Sequence, residues 1–313
     1  VYKNDNGKKK EGCAMRNIVH KGVACLAAKG FFRLLDDKTY IKLVYWARIG
    51  KKLDLDNPAT FNEKIQWQKL YDFKPEYATL VDKYAVRDYI KQEIGEQYLV
   101  PLLGVYDEFD DIDFDSLPEK FVIKCNHDSG GIVVCRDKKS LDIAAARKKI
   151  NRCLKRNYYR YSREKAYNLV KPKIVIEQYL DDGVNLVPRD YKLYCFDGEP
   201  KYIVIFKDRY NKNVAKSEAV YDTDWNKLNC SLDAHFVISN EVDEKPEKFD
   251  ELLDVARKLA KGFPQVRVDF YIINNKIYFG EITLATASGL TKMIPESLDE
   301  EIGKLVNLDI SNR

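Results

Sequence analysis

The stretch from Val266 to Thr283 constrains the fold of this chain more than any other. It reads Val266-Arg-Val-Asp-Phe-Tyr-Ile-Ile, then Asn274-Asn275, then Lys276-Ile-Tyr-Phe-Gly-Glu-Ile-Thr. Alternating β-branched and aromatic residues around an Asn-Asn turn predict two antiparallel strands. Strand periodicity of two puts Arg267 and Asp269 on one face, and Glu281 and Thr283 on one face of the partner strand. If those faces coincide, one cation and two carboxylates converge, as a divalent metal holding a polyphosphate requires. The same pattern also fits a half-exposed strand with cross-strand Arg–Glu pairs, and the rest of the chain has to decide.

At 313 residues the chain is long enough for one large domain or two to three subdomains. Its 45% hydrophobic and 33% charged residues are ordinary for a soluble globular protein. No apolar run reaches the length of a membrane-spanning helix. The net charge of +4 is mild but unevenly placed: residues 147–173 hold many Lys and Arg against one acid, Glu164. Such a block is a solvated face or a site for an anionic partner. The seven cysteines are odd in number and include no C-x-x-C pair, which predicts buried free thiols in a reducing cytosol. With three histidines, a His-rich metal site or His-based triad has little material. Residues 1–12, polar and Lys-rich, are expected to be a disordered tail outside the fold.

Residues 13–80 read as a helical N-terminal region. Within it, Cys13–Leu35 is predicted to pack on the domain, with a basic amphipathic helix at a membrane surface as the alternative. Thr60-Phe-Asn-Glu63 matches a capping box opening a helix, and Asp82 opens another carrying Val86, Tyr89, Ile90 and Ile94. Pro101–Pro118 is read as an acidic connector with a short strand at Leu102–Tyr106. Strands follow at Phe121–Cys125, Ile132–Arg136, Ile174–Gln178, Tyr191–Phe196, Tyr202–Phe206 and Ala219–Tyr221. Helices are expected around Lys148, between Pro246 and Gly262, and over Glu296–Leu305. Helices first and antiparallel strands later make the class α+β.

Several pieces carry chemistry. Lys124 ends a strand just before Asn126-His-Asp-Ser-Gly-Gly131, a loop whose backbone N–H groups could wrap phosphate oxygens. The order is not that of a Walker loop, and an ordinary turn with a solvent lysine fits as well. Glu177 closes the strand from Ile174, where a backbone leaving a sheet could read an adenine edge. Asp190 and Lys192 share a strand face, suited to a ribose hydroxyl and a phosphate or to a plain surface pair. Lys207 and Arg209 add cations after the next strand.

Taken in order, these pieces resemble the TupA-like branch of the ATP-grasp superfamily, associated with bacterial capsule and cell-wall polymer synthesis. The resemblance runs from about Phe61 to Leu305. It rests on Phe61-Asn-Glu-Lys-Ile-Gln-Trp67, Val81-Asp-Lys-Tyr-Ala-Val-Arg87, Lys124–Gly131, Glu177–Leu180, Asp190–Lys192, Val266–Asp269 and Gly280–Thr283. It implies an ATP-grasp fold over 81–313, with a lid-type subdomain at about 119–180 and a metal-binding subdomain at about 181–313. It also implies ATP and Mg²⁺, two ions, with Mn²⁺ as a substitute. Lys83 and Lys124 would hold phosphates, and the loop with Ser129, Gly130 and Gly131 would close over them. Glu177, Tyr179 and Leu180 would read adenine, and Asp190 or Asp182 the ribose. Lys192 and Arg209 would approach the γ-phosphate or acceptor, Arg267 the moving phosphoryl group, and Asp269, Glu281 and Thr283 the metal. The backbone N–H groups of Ser288 and Gly289 would meet the substrate carboxylate. Thr283 departs from the pattern, since many ATP-grasp ligases have Asn there.

The activity so implied is ATP-dependent joining of a carboxylate, such as a glycan uronic acid, to an amine, in the cytoplasm at the inner face of the membrane. The resemblance implies no nucleic-acid partner. Two other classes stay open: a phosphotransferase or glycosyltransferase-like enzyme on the same fold, and a non-catalytic nucleotide or RNA binding module.

Overall fold

A computed structural model describes residues 18–128, 130–183, 188–207 and 214–310. A helix over residues 18–28 (α1) is followed by α2 (Asp37–Ile49), α3 (Phe61–Tyr71), α4 (Tyr77–Val81) and α5 (Val86–Glu93). Then come β1 (Leu102–Tyr106), β2 (Phe121–Cys125), β3 (Ile132–Cys135), α6 (Ile143–Leu154), α7 (Tyr159–Ser162) and β4 (Ile174–Gln178). The last third holds β5 (Asp190–Phe196), β6 (Glu199–Lys207), β7 (Ser217–Tyr221), β8 (Lys227–Leu228), β9 (Val237–Ile238), α8 (Phe249–Ala260), β10 (Gln265–Ile273), β11 (Lys276–Thr283) and α9 (Leu298–Gly303). The class is α+β, as expected.

Two sheets organise the molecule. The smaller, ordered β1-β4-β2-β3, is antiparallel throughout, and its inner face packs on α6 through Phe121, Ile123, Ile150, Ile174 and Ile176. The larger runs β11-β10-β5-β6-β7-β8, with β9 beside β7. One face buries Leu193, Val266, Val268 and Phe270 against the apolar stripe of α8. Part of the other face, through Tyr194, Phe196 and Val204, packs on Phe61 and Ile65 of α3 and Ile302 of α9. What remains of that second face is free to hold polar side chains.

Local signals explain most boundaries. Thr60 accepts from the Glu63 N–H while the Glu63 carboxylate accepts from the Thr60 N–H, a reciprocal cap at the start of α3. Asp82 starts its helix indirectly: its carboxylate accepts from the N–H groups of Tyr84 and Ala85, so regular helix begins only at Val86. β1 differs from the sequence reading. It is not part of a connector but an edge strand of the small sheet, paired to β4 from Leu102↔Glu177 to Tyr106↔Ile174. A five-residue apolar run cannot announce a partner about seventy residues away. The described cysteines are free thiols, and five of the six are buried, Cys25 being exposed. Among the described residues, no helix is long and apolar enough to cross a membrane.

Candidate nucleotide and metal site

The β10–β11 hairpin forms as its sequence predicts. Asn274 and Asn275 have φ of 49° and 58°, the pair of left-handed residues a two-residue hairpin turn demands. Arg267 lies opposite Thr283 and Asp269 opposite Glu281, so the two polar faces coincide. A bulge follows Asp269, and the extra residue is Gly280. A Cβ there would lie 2.9 Å from the Asp269 carbonyl oxygen, so glycine is what permits the close approach.

β5 completes the floor, with Lys192 opposite Asp269 and Asp190 opposite Tyr271. Arg267 grips Asp269 with Nε at 2.7 Å and Nη2 at 2.9 Å, and Nη2 also reaches Glu281 Oε1 at 2.7 Å. Lys192 Nζ bonds Asp269 and sits 2.7 Å from Asp190 Oδ2. Lys83, from the α4–α5 connection, lies 3.8 Å from Glu281 and donates to the Asp128 carbonyl at 3.1 Å. Thr283 Oγ1 donates to Glu281 at 3.3 Å.

The two carboxylates differ in setting. Burial pushes the Asp269 carboxyl up, against the pull of Arg267 and Lys192. Burial works the same way on Glu281, but Lys83, Arg267 and Lys192 outweigh it and hold that group down to about 2. Glu281 is also the more open side chain, 38% exposed against 5% for Asp269. Such cations keep two facing acids from standing as uncompensated charges.

The small sheet contributes the opposite wall. Lys124 on β2 lies 2.6 Å from Glu177 Oε2 on β4, and Arg87 on α5 lies 3.2 Å from Glu177 Oε1. The sequence reading aims Glu177 at an adenine amine; here both its oxygens accept from cations, because a carboxylate this buried needs them. The loop after β2 is tied down at its root. Asn126 bonds Asp82, Lys171 and Lys173, and the Lys83 N–H donates to the Asn126 carbonyl. Gly131 passes so close to α6 that a Cβ would lie 2.5 Å from Cys153 Sγ. Tyr179 is buried with Lys120 and Arg136 over its ring; Leu180 and Asp182 are half-buried in the chain leaving β4. Ser129 and Arg209 lie outside the described residues.

The segment after the hairpin is a left-handed turn held against α3. Ala287, Ser288 and Gly289 have φ of 47°, 55° and 65°, a left-handed turn that costs side-chain-bearing residues energy. The Ser288 N–H donates to the Ala285 carbonyl, and the carbonyls of Ser288 and Gly289 accept from Gln66 on α3. The Ser288 backbone donor expected to meet a carboxylate is thus already taken. Instead the Ser288 hydroxyl lies 3.1 Å from Lys69 Nζ and 3.4 Å from Glu164 Oε1. Lys69 and Glu164 also line a cavity of about 50 Å³ bounded by Ile65, Phe263 and Ala285. Their meeting cannot be read from the sequence, because they come together from α3 and from the loop after α7.

Burial pushes Glu164 up from 4.5 to about 7 and pushes Lys69 down to about 8, each opposed by the other. Between pH 4.5 and about 7 the native state therefore holds a proton that the unfolded chain gives up, and stability falls as pH rises. Urea unfolding across that window is expected to show a loss on the order of 3 kcal/mol that Glu164→Gln abolishes. Equal slopes in the two proteins would mean that Glu164 titrates normally.

The sequence profile of the TupA-like ATPgrasp family matches residues 63–307, from within α3 to beyond α9. The chain belongs to the TupA-like ATP-grasp family. No functionally curated protein matches it in sequence. Among solved structures, this ATP-grasp chain is similar to D-alanine–D-alanine ligase from Bacillus anthracis, complexed with ATP. The identity is 18%, over 75% of this chain and 64% of that one, with a TM-score of 0.42. The corresponding ligase from Helicobacter pylori is 14% identical over 80% and 67%, with a TM-score of 0.41. D-cycloserine synthetase DcsG is 11% identical over 74% and 72%, with a TM-score of 0.42. The chain thus spans just under two thirds of the first of these ligases. Within the family's frame, the structure brings Lys192, Arg267, Asp269, Glu281 and Thr283 together on the large sheet, with Lys83 reaching Glu281 from the α4–α5 connection. It brings Lys124 and Glu177 together on the small one.

Proposed function

We propose that the protein is an ATP-dependent carboxylate–amine ligase that forms an amide through an acyl phosphate and modifies a capsular or cell-surface polysaccharide. A uronic acid or an amino-acid substituent of the polymer would be the carboxylate. The observation that carries this reading is the shared face on which Lys83, Lys192 and Arg267 all contact Asp269 or Glu281. Membership of the ATP-grasp family supports it.

The acid pair suits Mg²⁺. Among the described residues no group of three or more His, Cys, Asp or Glu could hold a metal, and two carboxylates plus phosphate oxygens is the usual manner of binding Mg²⁺. Asp269 and Glu281 would hold it, with the Thr283 hydroxyl as a neutral oxygen nearby. Bound there, it would neutralise charge on the polyphosphate. Lys83, Lys192 and Arg267 would then exchange a carboxylate for a phosphate oxygen. Lys124 would take a second phosphate, and the loop with Ser129, Gly130 and Gly131 would cover both. Glu177, with the backbone at Tyr179 and Leu180, would face adenine; Asp190 or Asp182 would take the ribose. Lys192 and Arg209 would border the γ-phosphate and acceptor, while Ser288 and Gly289 would flank the carboxylate substrate.

The chemistry asks for positioning. The substrate carboxylate oxygen attacks the γ-phosphorus and ADP leaves; a deprotonated amine then attacks the acyl carbon and phosphate leaves. Arg267 stabilises the phosphoryl oxygens as charge shifts, so no protein nucleophile is needed. Mg·ATP at about a hundred times its Kd is expected to raise Tm by roughly 5 °C. Hydroxylamine with a suitable carboxylate is expected to yield ADP and a hydroxamate. A phosphorylated product without hydroxamate, across uronic acids and acidic amino acids, would instead point to a phosphotransferase.

A further inference from the structure

α1 is built the wrong way round for a helix that merely packs on a domain. Its inward positions are small, Ala24 and Ala27, and His20 rests edge-on against Trp46 at 4.2 Å. Its large apolar residues point out: Ile18 is 70% exposed, with Val19 and Leu26 also open. Just beyond, the turn leading to α2 presents Phe31 at 75% and Leu34 at 92% exposure. Soluble surfaces tolerate single exposed apolar residues, but a cluster on one helix and its adjoining turn marks a contact surface.

The protruding turn is fixed in place. Arg163, buried in the loop after α7, donates to the carbonyls of Phe32 at 3.4 Å and Arg33 at 3.3 Å. The same guanidinium bonds Asp37 at 3.1 Å and lies 4.2 Å from the Tyr40 ring centroid. A buried cation thus holds the backbone between Phe31 and Leu34 while their side chains stay in solvent.

Around this apolar tip cations outnumber acids. Lys21, Lys29, Arg33, Lys38 and Lys42 are exposed. The acids between residues 18 and 42 are Asp36, which caps α2, and Asp37, which pairs with Arg163 and Tyr159. Exposed Arg160 and Tyr161 come from the same segment as Arg163. A second copy of the chain meeting this face would bring the same cations together, at a cost. An anionic bilayer accepts both features, taking apolar side chains at the acyl boundary and cations at the phosphates.

We propose that this face docks peripherally on an anionic lipid surface, with Phe31, Leu34 and the outer side of α1 inserted and Lys21, Lys29, Arg33 and Lys38 on the headgroup phosphates. Ser162 and Glu164, flanking Arg163, reach the Ser288 hydroxyl, so the docked face is one short segment from the cavity that Lys69 and Glu164 line. A lipid-linked acceptor would then reach that cavity from the membrane side.

The test is vesicle flotation of the full chain with phosphatidylcholine alone and with added phosphatidylglycerol, at low and high salt. Binding is expected to be about tenfold or more tighter to the anionic vesicles and to weaken with salt. Phe31→Asp with Leu34→Asp, and separately Lys29→Glu with Arg33→Glu, are each expected to weaken it about tenfold or more. The Mg·ATP shift in Tm, unchanged in both variants, confirms their fold and separates this proposal from the nucleotide reading. Equal affinity for neutral and anionic vesicles, or binding that survives both double variants, overturns the proposal. So does a lipid-free dimer that Leu34→Asp dissolves, which would assign the face to a second copy.

Discussion

Asp269→Asn is expected to leave the chain folded while turnover falls by about three orders of magnitude. Asparagine keeps the size of the side chain and one acceptor oxygen for Arg267, so the hairpin has no steric reason to change. What it removes is one of the two negative charges facing each other across β10 and β11. Arg267 and Lys192 then share a site with one anion fewer, in a position only 3% exposed, at a stability cost of about 3–5 kcal/mol. The larger loss is functional, because Glu281 alone offers a divalent ion one carboxylate. ADP release and calorimetric titration with Mg·ATP report the two effects separately. Turnover equal to the parent protein's would remove Asp269 from the metal role.

Arg267→Ala is expected to act on the fold around the site as well as on the reaction. Its guanidinium bonds Asp269 twice and Glu281 once, so alanine leaves two facing carboxylates without their shared cation. Breaking a buried pair in this way costs about 3–5 kcal/mol. The pH dependence should change with it. In the parent protein Glu281 is held at about 2 against an ordinary 4.5, so it contributes stability above pH 4.5 that is lost as pH falls toward 2. With Arg267 gone that contribution shrinks, and the acid limb of the stability curve flattens. Mg²⁺ without nucleotide should stabilise Arg267→Ala more than the parent, since it meets two undercompensated carboxylates. Arg267→Lys should fall between them, keeping the charge but losing the fork that grips both acids. An Arg267→Ala protein as stable as the parent, and indifferent to Mg²⁺, would be incompatible with this account.

Much of the hairpin could be read in advance because its information is local. Asn274-Asn275 needs no partner to favour a left-handed pair, and period-two alternation places Arg267, Asp269, Glu281 and Thr283 by counting. Thr60 and Glu63 announce their helix for the same reason. The basic block at 147–173 was harder. As sequence it is a solvated face or a binding site for an anion. In the structure Arg163 is buried, Lys165 donates to the Leu70 carbonyl, and Tyr158 and Tyr167 pack with ring centroids 4.6 Å apart. Burial pushes both phenols up, with Glu164 and Glu281 adding to it, so these rings lie beside the acid-lined site and not in open solvent. Composition counts charges but does not say which are buried.

The hairpin, its polar face and the family follow from the order of residues alone, since each depends on residues a few positions apart or on their succession along the chain. Tertiary structure alone decided that Lys83 joins Glu281, that Arg87 and Lys124 share Glu177, and that Lys69 and Glu164 meet at Ser288. It also decided that Arg163 holds the Phe31–Leu34 turn outward. These contacts join residues far apart in the chain, and their energy depends on burial, which exists only once the sheets and helices have closed around them.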